Sequence, residues 1–189
     1  MAPIHGPDAV AAALYDLAAA EIVEDGAESW FRSVWMAEQR PLAADVWVFS
    51  PDYLSILVVD HPWRGLVPPG GKVEPGETPH EGAARELAEE TGLVLAISAA
   101  PAFAAVRSYR DDWPPTLNLS YWSIASPGTA RLVPEADQPA LWVDVESAWR
   151  TYHADDAQVI SGFAERKRRE QRHPFADGSE AVLTGTLRR

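Results

Sequence analysis

The stretch from Gly70 to Leu93, GGKVEPGETPHEGAARELAEETGL, decides the fold of this chain. Thr78 can cap a helix that has Pro79 as its first residue, and Glu81 stands where its side chain can bond back to the cap. Gly92 can end the helix in the left-handed conformation that glycine adopts easily. The segment therefore predicts a helix that begins at Thr78 and stops at Gly92.

Glutamates crowd the end of this predicted helix. At about 100° per residue, Glu89 and Glu90 lie within about 60° of Glu86 on the helical wheel. Like charges at these spacings repel by about 0.2–0.5 kcal/mol per pair, and the negative end of the helix dipole adds to the cost. Because hard divalent cations such as Mg²⁺ prefer carboxylate oxygens, the crowding predicts a metal site formed by Glu86, Glu89 and Glu90.

The loop that precedes the helix suits a phosphate. Gly70 and Gly71 allow the backbone to approach a ligand closely, and Lys72 offers a positive charge. Gly76 predicts a tight turn that returns the loop over the start of the helix. The loop and the glutamate face together predict a site for a metal-bound phosphate compound.

The remaining chain alternates between strand and helix patterns without a strict βαβ repeat, which indicates an α/β layered domain with a mixed sheet. The predicted helices cover residues 8–22, 27–39 and 154–172. The predicted strands cover residues 46–50 and 53–60, which form a hairpin, and residues 94–98, 103–109, 116–124 and 140–145. We expect residues 1–42 to form an N-terminal helical extension, 43–175 the main domain and 176–189 a C-terminal tail.

Composition limits the function. The formal net charge is -12 and the isoelectric point about 4.7, which argues against a nucleic-acid polymer as partner. The basic run from Glu165 to His173 is expected to be a solvated helix face. The chain has no cysteine, so thiol chemistry is excluded. With no signal peptide and no apolar stretch of about 20 residues, we expect a cytoplasmic protein without membrane contact.

The segment resembles the signature of the Nudix hydrolases, including the MutT-like enzymes. Every specified position is filled, by Gly71, Glu77, Arg85, Glu86, Leu87, Glu89, Glu90, Gly92 and Leu93. The resemblance implies an α/β/α sandwich that hydrolyses the diphosphate linkage of a nucleoside diphosphate joined to another group. It also implies Mg²⁺ or Mn²⁺ on Glu86, Glu89 and Glu90, with Arg85 orienting the cluster and Glu77 supporting it. Glu86, Arg85 and Glu89 are thus the expected catalytic residues.

Other parts of the site are weakly specified by sequence. A further carboxylate could come from the loops that hold Asp111, Asp112, Glu135 and Asp137. Base recognition should come from aromatic and polar side chains outside the motif, with Trp63, Tyr121 and Asn118 as candidates. The N-terminal helices could form a homodimer or cap the substrate cleft.

The resemblance favours a (d)NTP or an oxidised dNTP as substrate, because the loop GLVPPGGKVEPGETP is similar to that of MutT-like enzymes. Dinucleoside polyphosphates stay open, since Tyr109 lies 16 residues beyond Leu93, a spacing seen in that branch, and nucleotide sugars also stay open. A Nudix-fold isopentenyl-diphosphate isomerase is disfavoured because its mechanism relies on a cysteine. A non-catalytic sensor is disfavoured because the motif carboxylates are intact.

Overall fold

The computed structural model describes residues 5–35, 40–108, 113–128, 132–133, 138–147 and 155–173, together with Trp149, Thr151 and His153. The helices of this part are α1 (Pro7–Ala19), α2 (Ala27–Trp30, continued by a π-helical turn over Phe31–Trp35), α3 (Pro79–Thr91) and α4 (Asp156–Arg172). The strands are β1 (Ile22–Val23), β2 (Leu42–Phe49), β3 (Ser55–His61), β4 (Gly65–Val67), β5 (Gly70–Lys72), β6 (Phe103–Arg107), β7 (Thr116–Ile124) and β8 (Ala140–Asp144). None of the described helices is both long and apolar enough to cross a bilayer.

The strands form one mixed sheet around β2. Along its whole length β2 pairs in parallel with β7, from Leu42 opposite Leu117 to Phe49 opposite Ile124. On its other edge β2 pairs antiparallel with β5 near its start and with β3 near its end. β6 and β1 extend the sheet beyond β7, while β4 and β8 both pair with β3. The glycine strand β5 is therefore held directly against the central strand.

Alternate residues of β2 face two hydrophobic cores. Leu42, Ala44, Val46 and Val48 belong to the core beneath α1, α2 and α3, whereas Trp47 and Phe49 belong to the core beneath α4. This alternation follows from the period of two along a strand. The helices on both faces confirm the expected α/β/α sandwich with a mixed sheet.

Most predicted elements are present, with two differences. The hairpin and the strand Thr116–Ile124 are confirmed, while residues 94–98, predicted as a strand, form none. That segment is joined to β7 by isolated bonds, such as the Ser98 amide to the Trp122 carbonyl at 2.8 Å, and no ladder develops. The predicted helix 8–22 is also too long, because Ile22 and Val23 pair in parallel with β6.

The N-terminal segment is built into the sandwich. Asp16 in α1 accepts a hydrogen bond from the Tyr121 hydroxyl at 2.7 Å, and both side chains are buried. Glu21 pairs with Arg166 at 3.0 Å and with Lys167 at 3.1 Å in the basic run of α4. The basic run thus joins α4 to the segment that follows α1 through ion pairs at the surface.

Candidate active site

Helix α3 is fixed at both ends by the residues that predict it. The Thr78 hydroxyl accepts from the Glu81 amide at 3.3 Å, and the Glu81 carboxylate accepts from the Thr78 amide at 2.8 Å. At the other end Gly92 has a φ of 73° and its amide donates to the Ala88 carbonyl. Because both ends are anchored, the face that carries the glutamates has a defined direction.

Arg85 gathers the carboxylates of the motif. Its Nε donates to Glu77 Oε1 at 2.7 Å and its Nη2 donates to Glu77 Oε2 at 3.0 Å, a two-point contact. Its Nη1 donates to both Glu86 and Glu89 at 2.9 Å, and its Nη2 also reaches the Lys72 carbonyl at 3.0 Å. One guanidinium therefore ties the helix to the glycine loop and draws two carboxylates to one nitrogen.

The pKa values of Arg85 and of its glutamate partners are shifted from their ordinary values. The hydrogen bond from Arg85 lowers the pKa of Glu77, and the same bond raises the pKa of Arg85. Burial raises the pKa of Glu86, and the Arg85 contact offsets this only in part. Glu86 is thus a half-buried carboxylate whose negative charge is only partly compensated by Arg85.

The two glycines of β5 serve opposite faces of the sheet. A Cβ on Gly71 would meet Glu86 Oε1 at 2.5 Å, so the carboxylate lies directly against the glycine. A Cβ on Gly70 would instead collide with Asp45 and would meet the Ala44 carbonyl at 2.6 Å. The Gly70 amide donates to Glu90 Oε2 at 2.8 Å. Because Gly70 and Gly71 have no side chains, β5 can pack closely against Glu86 on one side and against β2 on the other.

The donor set suits a divalent cation. Glu86 and Glu89 already converge on one cationic nitrogen, and carboxylate oxygens are the donors that Mg²⁺ and Mn²⁺ accept. Glu90 shares their helix but is buried, with its carboxylate on the Gly70 amide. Among the described residues no three acidic or histidine side chains are grouped closely enough to hold a metal ion. The side chains therefore supply ligands of the right chemistry that are held by Arg85 and Gly70.

A cavity of about 270 Å³ lies on the α4 side of the sheet and is bordered by Gly70, Gly71 and Lys72. Its rim carries Trp63 and Trp113, which meet edge to face at 5.8 Å and are 46% and 38% exposed. Trp47, Phe103 and Ile160 form a buried apolar wall. A site with aromatic walls next to the motif loop is suited to a planar ring joined to a phosphate chain.

The floor of the cavity is polar. Asp45 Oδ2 accepts from the Asn118 side-chain nitrogen at 2.6 Å, and the same nitrogen donates to the Ser120 hydroxyl at 3.2 Å. Asp45 Oδ1 is buried and has no hydrogen-bond partner within the described residues. Burial raises the pKa of Asp45 to about 7, although the hydrogen bonds of Asn118 and Ser120 lower it in part. A carboxyl group whose pKa is shifted this far is a feature of functional pockets.

A second polar group closes the cavity where β6 meets α4. Arg107 is buried and pairs with Glu24 at 2.6 Å and with Asp156 at 2.7 Å. Desolvation raises the pKa of Asp156, and Arg107 opposes that shift. Glu24 belongs to the N-terminal segment, which contributes no residue to the cavity lining in the part of the chain that is described. The segment therefore supports the cavity from behind without capping it.

The structure brings together most of the residues singled out from the sequence. Trp63 and Asn118 line the cavity with Gly70, Gly71 and Lys72. Tyr121 does not, because it is fully buried in the core beneath α1 and α3 and is bonded to Asp16. A substrate contact for Tyr121 is therefore contradicted. The candidate loop acids Asp111, Asp112, Glu135 and Asp137, and also Tyr109, lie outside the described residues.

Sequence reasoning missed the acid at the cavity floor. Asp45 is the one charged residue in the strand LAADVWVF, and a charge in a central strand is a signal that could have been followed. Arg107 at the end of β6 carries the same signal. Arg107 is buried and Asp45 is partly buried, and the partners of both come from distant segments.

The comparisons agree with this geometry. The sequence profile of the NUDIX domain matches residues 39–163. A NUDIX family hydrolase from Clostridium perfringens is similar in structure, with a TM-score of 0.56 and 15% identity over 68% of this chain and 98% of that one. The MutT protein from Methanosarcina mazei Go1 has a TM-score of 0.55 and 19% identity over 68% and 96%. A search of curated protein sequences finds no significant match.

A further solved structure, described as a C. elegans Ap4A hydrolase binary complex, has a TM-score of 0.56 and 19% identity over 67% of this chain and 97% of that one. At these identities the solved structures establish the fold, while the profile covers well over half of the chain. Together with the intact glutamate face and its arginine, the match identifies the chain as a member of the Nudix hydrolase family, enzymes that act on nucleoside diphosphate derivatives and generally use a divalent metal.

Proposed function

We propose that this enzyme is a pyrophosphohydrolase of single nucleoside triphosphates, a (d)NTP or an oxidised dNTP, and that it uses Mg²⁺ or Mn²⁺. The observation that carries the proposal is the position of the Arg85 cluster beside the aromatic cavity. Arg85 Nη2 is bonded to the carbonyl of Lys72, and Lys72 itself borders the cavity. The cavity lies on the α4 side of the sheet and the glutamates lie on the α3 side, so in this proposal the phosphate chain follows β5 from one side to the other.

Some residues of the motif would bind the cation, and others position the residues that bind it. Glu86, Glu89 and Glu90 would hold the cation, which lowers the pKa of a bound water and neutralises charge on the phosphoryl oxygens. Arg85 positions Glu86 and Glu89 through its Nη1, and Glu77 fixes the guanidinium from the other side. Glu86 can accept a proton from the attacking water, because Arg85 holds its carboxylate in place beside the proposed cation.

The backbone and Lys72 would bind the phosphates. Gly70 and Gly71 place no side chain of their own in the site, where Asp45 and Glu86 pack against them, and Lys72 supplies a cation. Lys72 lies 5.2 Å from the Trp113 ring centre, so its ammonium is held at the rim of the cavity. These features favour a substrate with a short phosphate chain and one base inside.

Cavity volume favours one base over two. Pockets for drug-sized ligands usually enclose about 300–1,000 Å³, and this cavity encloses about 270 Å³. A dinucleoside polyphosphate is the second candidate, because the half-exposed Trp63 at the rim could stack a second base outside the cavity.

The test is turnover of a substrate panel by the purified protein. The panel contains the common dNTPs and NTPs, 8-oxo-dGTP, a dinucleoside tetraphosphate, a nucleotide sugar and ADP-ribose, each with Mg²⁺ and with Mn²⁺. We expect metal-dependent release of pyrophosphate or phosphate, with the highest kcat/KM on a triphosphate. A preference for the dinucleoside substrate would favour the second candidate, and no turnover on any compound would refute the hydrolase proposal.

Two related expectations concern the surroundings of the enzyme. A free nucleotide as substrate agrees with a cytoplasmic location, which cell fractionation tests. A homodimer formed through α1 and α2 would place the 70%-exposed Tyr15 in the interface, and light scattering of the purified protein tests it.

A further inference from the structure

The polar floor of the cavity presents hydrogen-bond acceptors. A side-chain amide has two N–H donors, and Asn118 directs its nitrogen to both Asp45 Oδ2 and Ser120 Oγ. No N–H of Asn118 is then left for a ligand. What the floor offers is the carboxyl of Asp45, with the Ser120 hydroxyl beside it.

Asp45 has unused capacity at this floor. Its Oδ1 is buried without a partner among the described residues, although each carboxylate oxygen can accept two hydrogen bonds. A buried acceptor that stays unpaired is costly, and a donor that enters the cavity would remove this cost. The strand pairing fixes the carboxyl here, because Asp45 stands opposite Gly70 on one side and opposite Ser120 on the other.

The common bases differ in how many adjacent donors they offer along one edge. Guanine presents N1–H and the 2-amino group side by side, whereas adenine and cytosine present an amino group beside a ring-nitrogen acceptor. Uracil and thymine present one N–H between two carbonyl acceptors. The Asp45 carboxylate pairs fully with the guanine edge and faces at least one acceptor on the edge of each of the other bases.

The walls agree with a purine. Trp47 and Phe103 are almost fully buried and provide flat apolar surfaces beside the floor. Aromatic walls of this kind bind the faces of a base and leave its edge to the polar groups.

We propose that Asp45 is the residue that determines base specificity, accepting the N1–H and 2-amino donors of a guanine-type base while Asn118 holds its carboxyl in place. This inference rests on the proposed function, since it assigns the base of the nucleotide whose phosphates reach the glutamate face. It concerns residues outside the motif, and binding can be tested without catalysis.

The first experiment measures binding in the absence of a metal. GMP, IMP and AMP are titrated into the wild-type protein at about pH 8, above the pKa of Asp45, and tryptophan fluorescence is followed. IMP lacks only the 2-amino group, so it reports on one hydrogen bond. A hydrogen bond to a charged group contributes about 1.5–3 kcal/mol, so we expect the Kd for IMP to be about 10-fold to 100-fold above that for GMP, with AMP weaker still.

The second experiment repeats the titration with Asp45→Asn and with Asp60→Asn as the matched control, since Asp60 is an exposed acid in β3. We expect Asp45→Asn to weaken GMP by about 10-fold or more and AMP by less than about 3-fold. The control should keep the wild-type order of affinities. Circular dichroism establishes that both variants fold, and the ligand series on the wild-type protein stands even if Asp45→Asn does not fold.

The outcomes separate the two proposals. Equal affinity for GMP, IMP and AMP, or an unchanged GMP preference in a folded Asp45→Asn protein, would overturn the assignment of Asp45 and mean that water satisfies its free oxygen. Selective GMP binding without turnover of any triphosphate would uphold the assignment and refute the hydrolase proposal. Turnover of triphosphates without a base preference would refute the assignment of Asp45 and uphold the hydrolase proposal.

Discussion

Replacing the two glycines of β5 one at a time should separate activity from stability. In Gly71→Ala, the added Cβ would lie 2.5 Å from Glu86 Oε1 and 2.6 Å from its Cδ. A carboxylate at the end of a flexible side chain can move away, so the fold should lose less than about 1 kcal/mol. Glu86 would then leave its 2.9 Å contact with Arg85, and we expect kcat/KM to fall by about 100-fold.

Gly70→Ala should have the opposite profile. Its Cβ would lie 2.6 Å from both the Ala44 carbonyl oxygen and the Asp45 Cα, and backbone atoms in a central strand cannot rotate aside. We expect a loss of about 1–3 kcal/mol in the free energy of unfolding, and a fall in Tm of about 2–12 °C for a protein of this size.

The assays are a thermal melt and the pyrophosphate-release assay on each variant. Gly162→Ala is the matched control, because its Cβ would meet nothing within 4 Å and the exposed helix position should gain stability. If Gly71→Ala kept wild-type kcat/KM, the position of Glu86 would not matter for the reaction. If Gly70→Ala melted with the wild type, the strands would not be packed as the structure has them.

The remaining predictions concern the motif helix and the cavity acid. Glu89→Gln should abolish most of the Mg²⁺-dependent rise in Tm and lower turnover strongly. The metal-free Tm should stay nearly unchanged or rise, because Glu89 is exposed and its repulsion with the neighbouring glutamates is relieved. A full metal-dependent rise in this variant would contradict the metal assignment. Thr78→Ala should lower the free energy of unfolding by about 1 kcal/mol in urea melts, through loss of the helix cap; no loss would mean that the cap contributes nothing. Asp45 has a pKa of about 7 in the fold against about 3.9 unfolded, so its ionisation favours the unfolded chain, and stability falls as the pH rises between these values and is level above them. The wild type should therefore lose about 2–3 kcal/mol relative to Asp45→Asn between pH 5 and pH 8, and parallel pH profiles of the two proteins would refute this.

The sequence predicted the motif helix well because its determinants are local. The cap at Thr78, the stop at Gly92 and the glutamate face all lie within one segment, and the helical repeat fixes their relative directions. The bond network of Arg85 is almost as local, since Glu77 is its most distant carboxylate partner. The expectation of a strand at residues 94–98 was wrong because this segment meets only the end of β7 that β6 leaves unpaired, through isolated bonds such as Ser98 to Trp122.

The sequence by itself determined the enzyme family, the helix that carries the carboxylates and the need for glycine beside them. Only the tertiary structure decided which residues line the cavity. Asn118 and Tyr121 belong to one strand and both were candidates, but an odd spacing puts them on opposite faces, and only the pairing with β2 shows which face holds the cavity. Asp45 meets Asn118 across 73 residues of sequence, and Gly70 closes on it from a third strand. Long-range strand pairing, which no local pattern encodes, therefore placed a partly buried acid where we propose that the base is read.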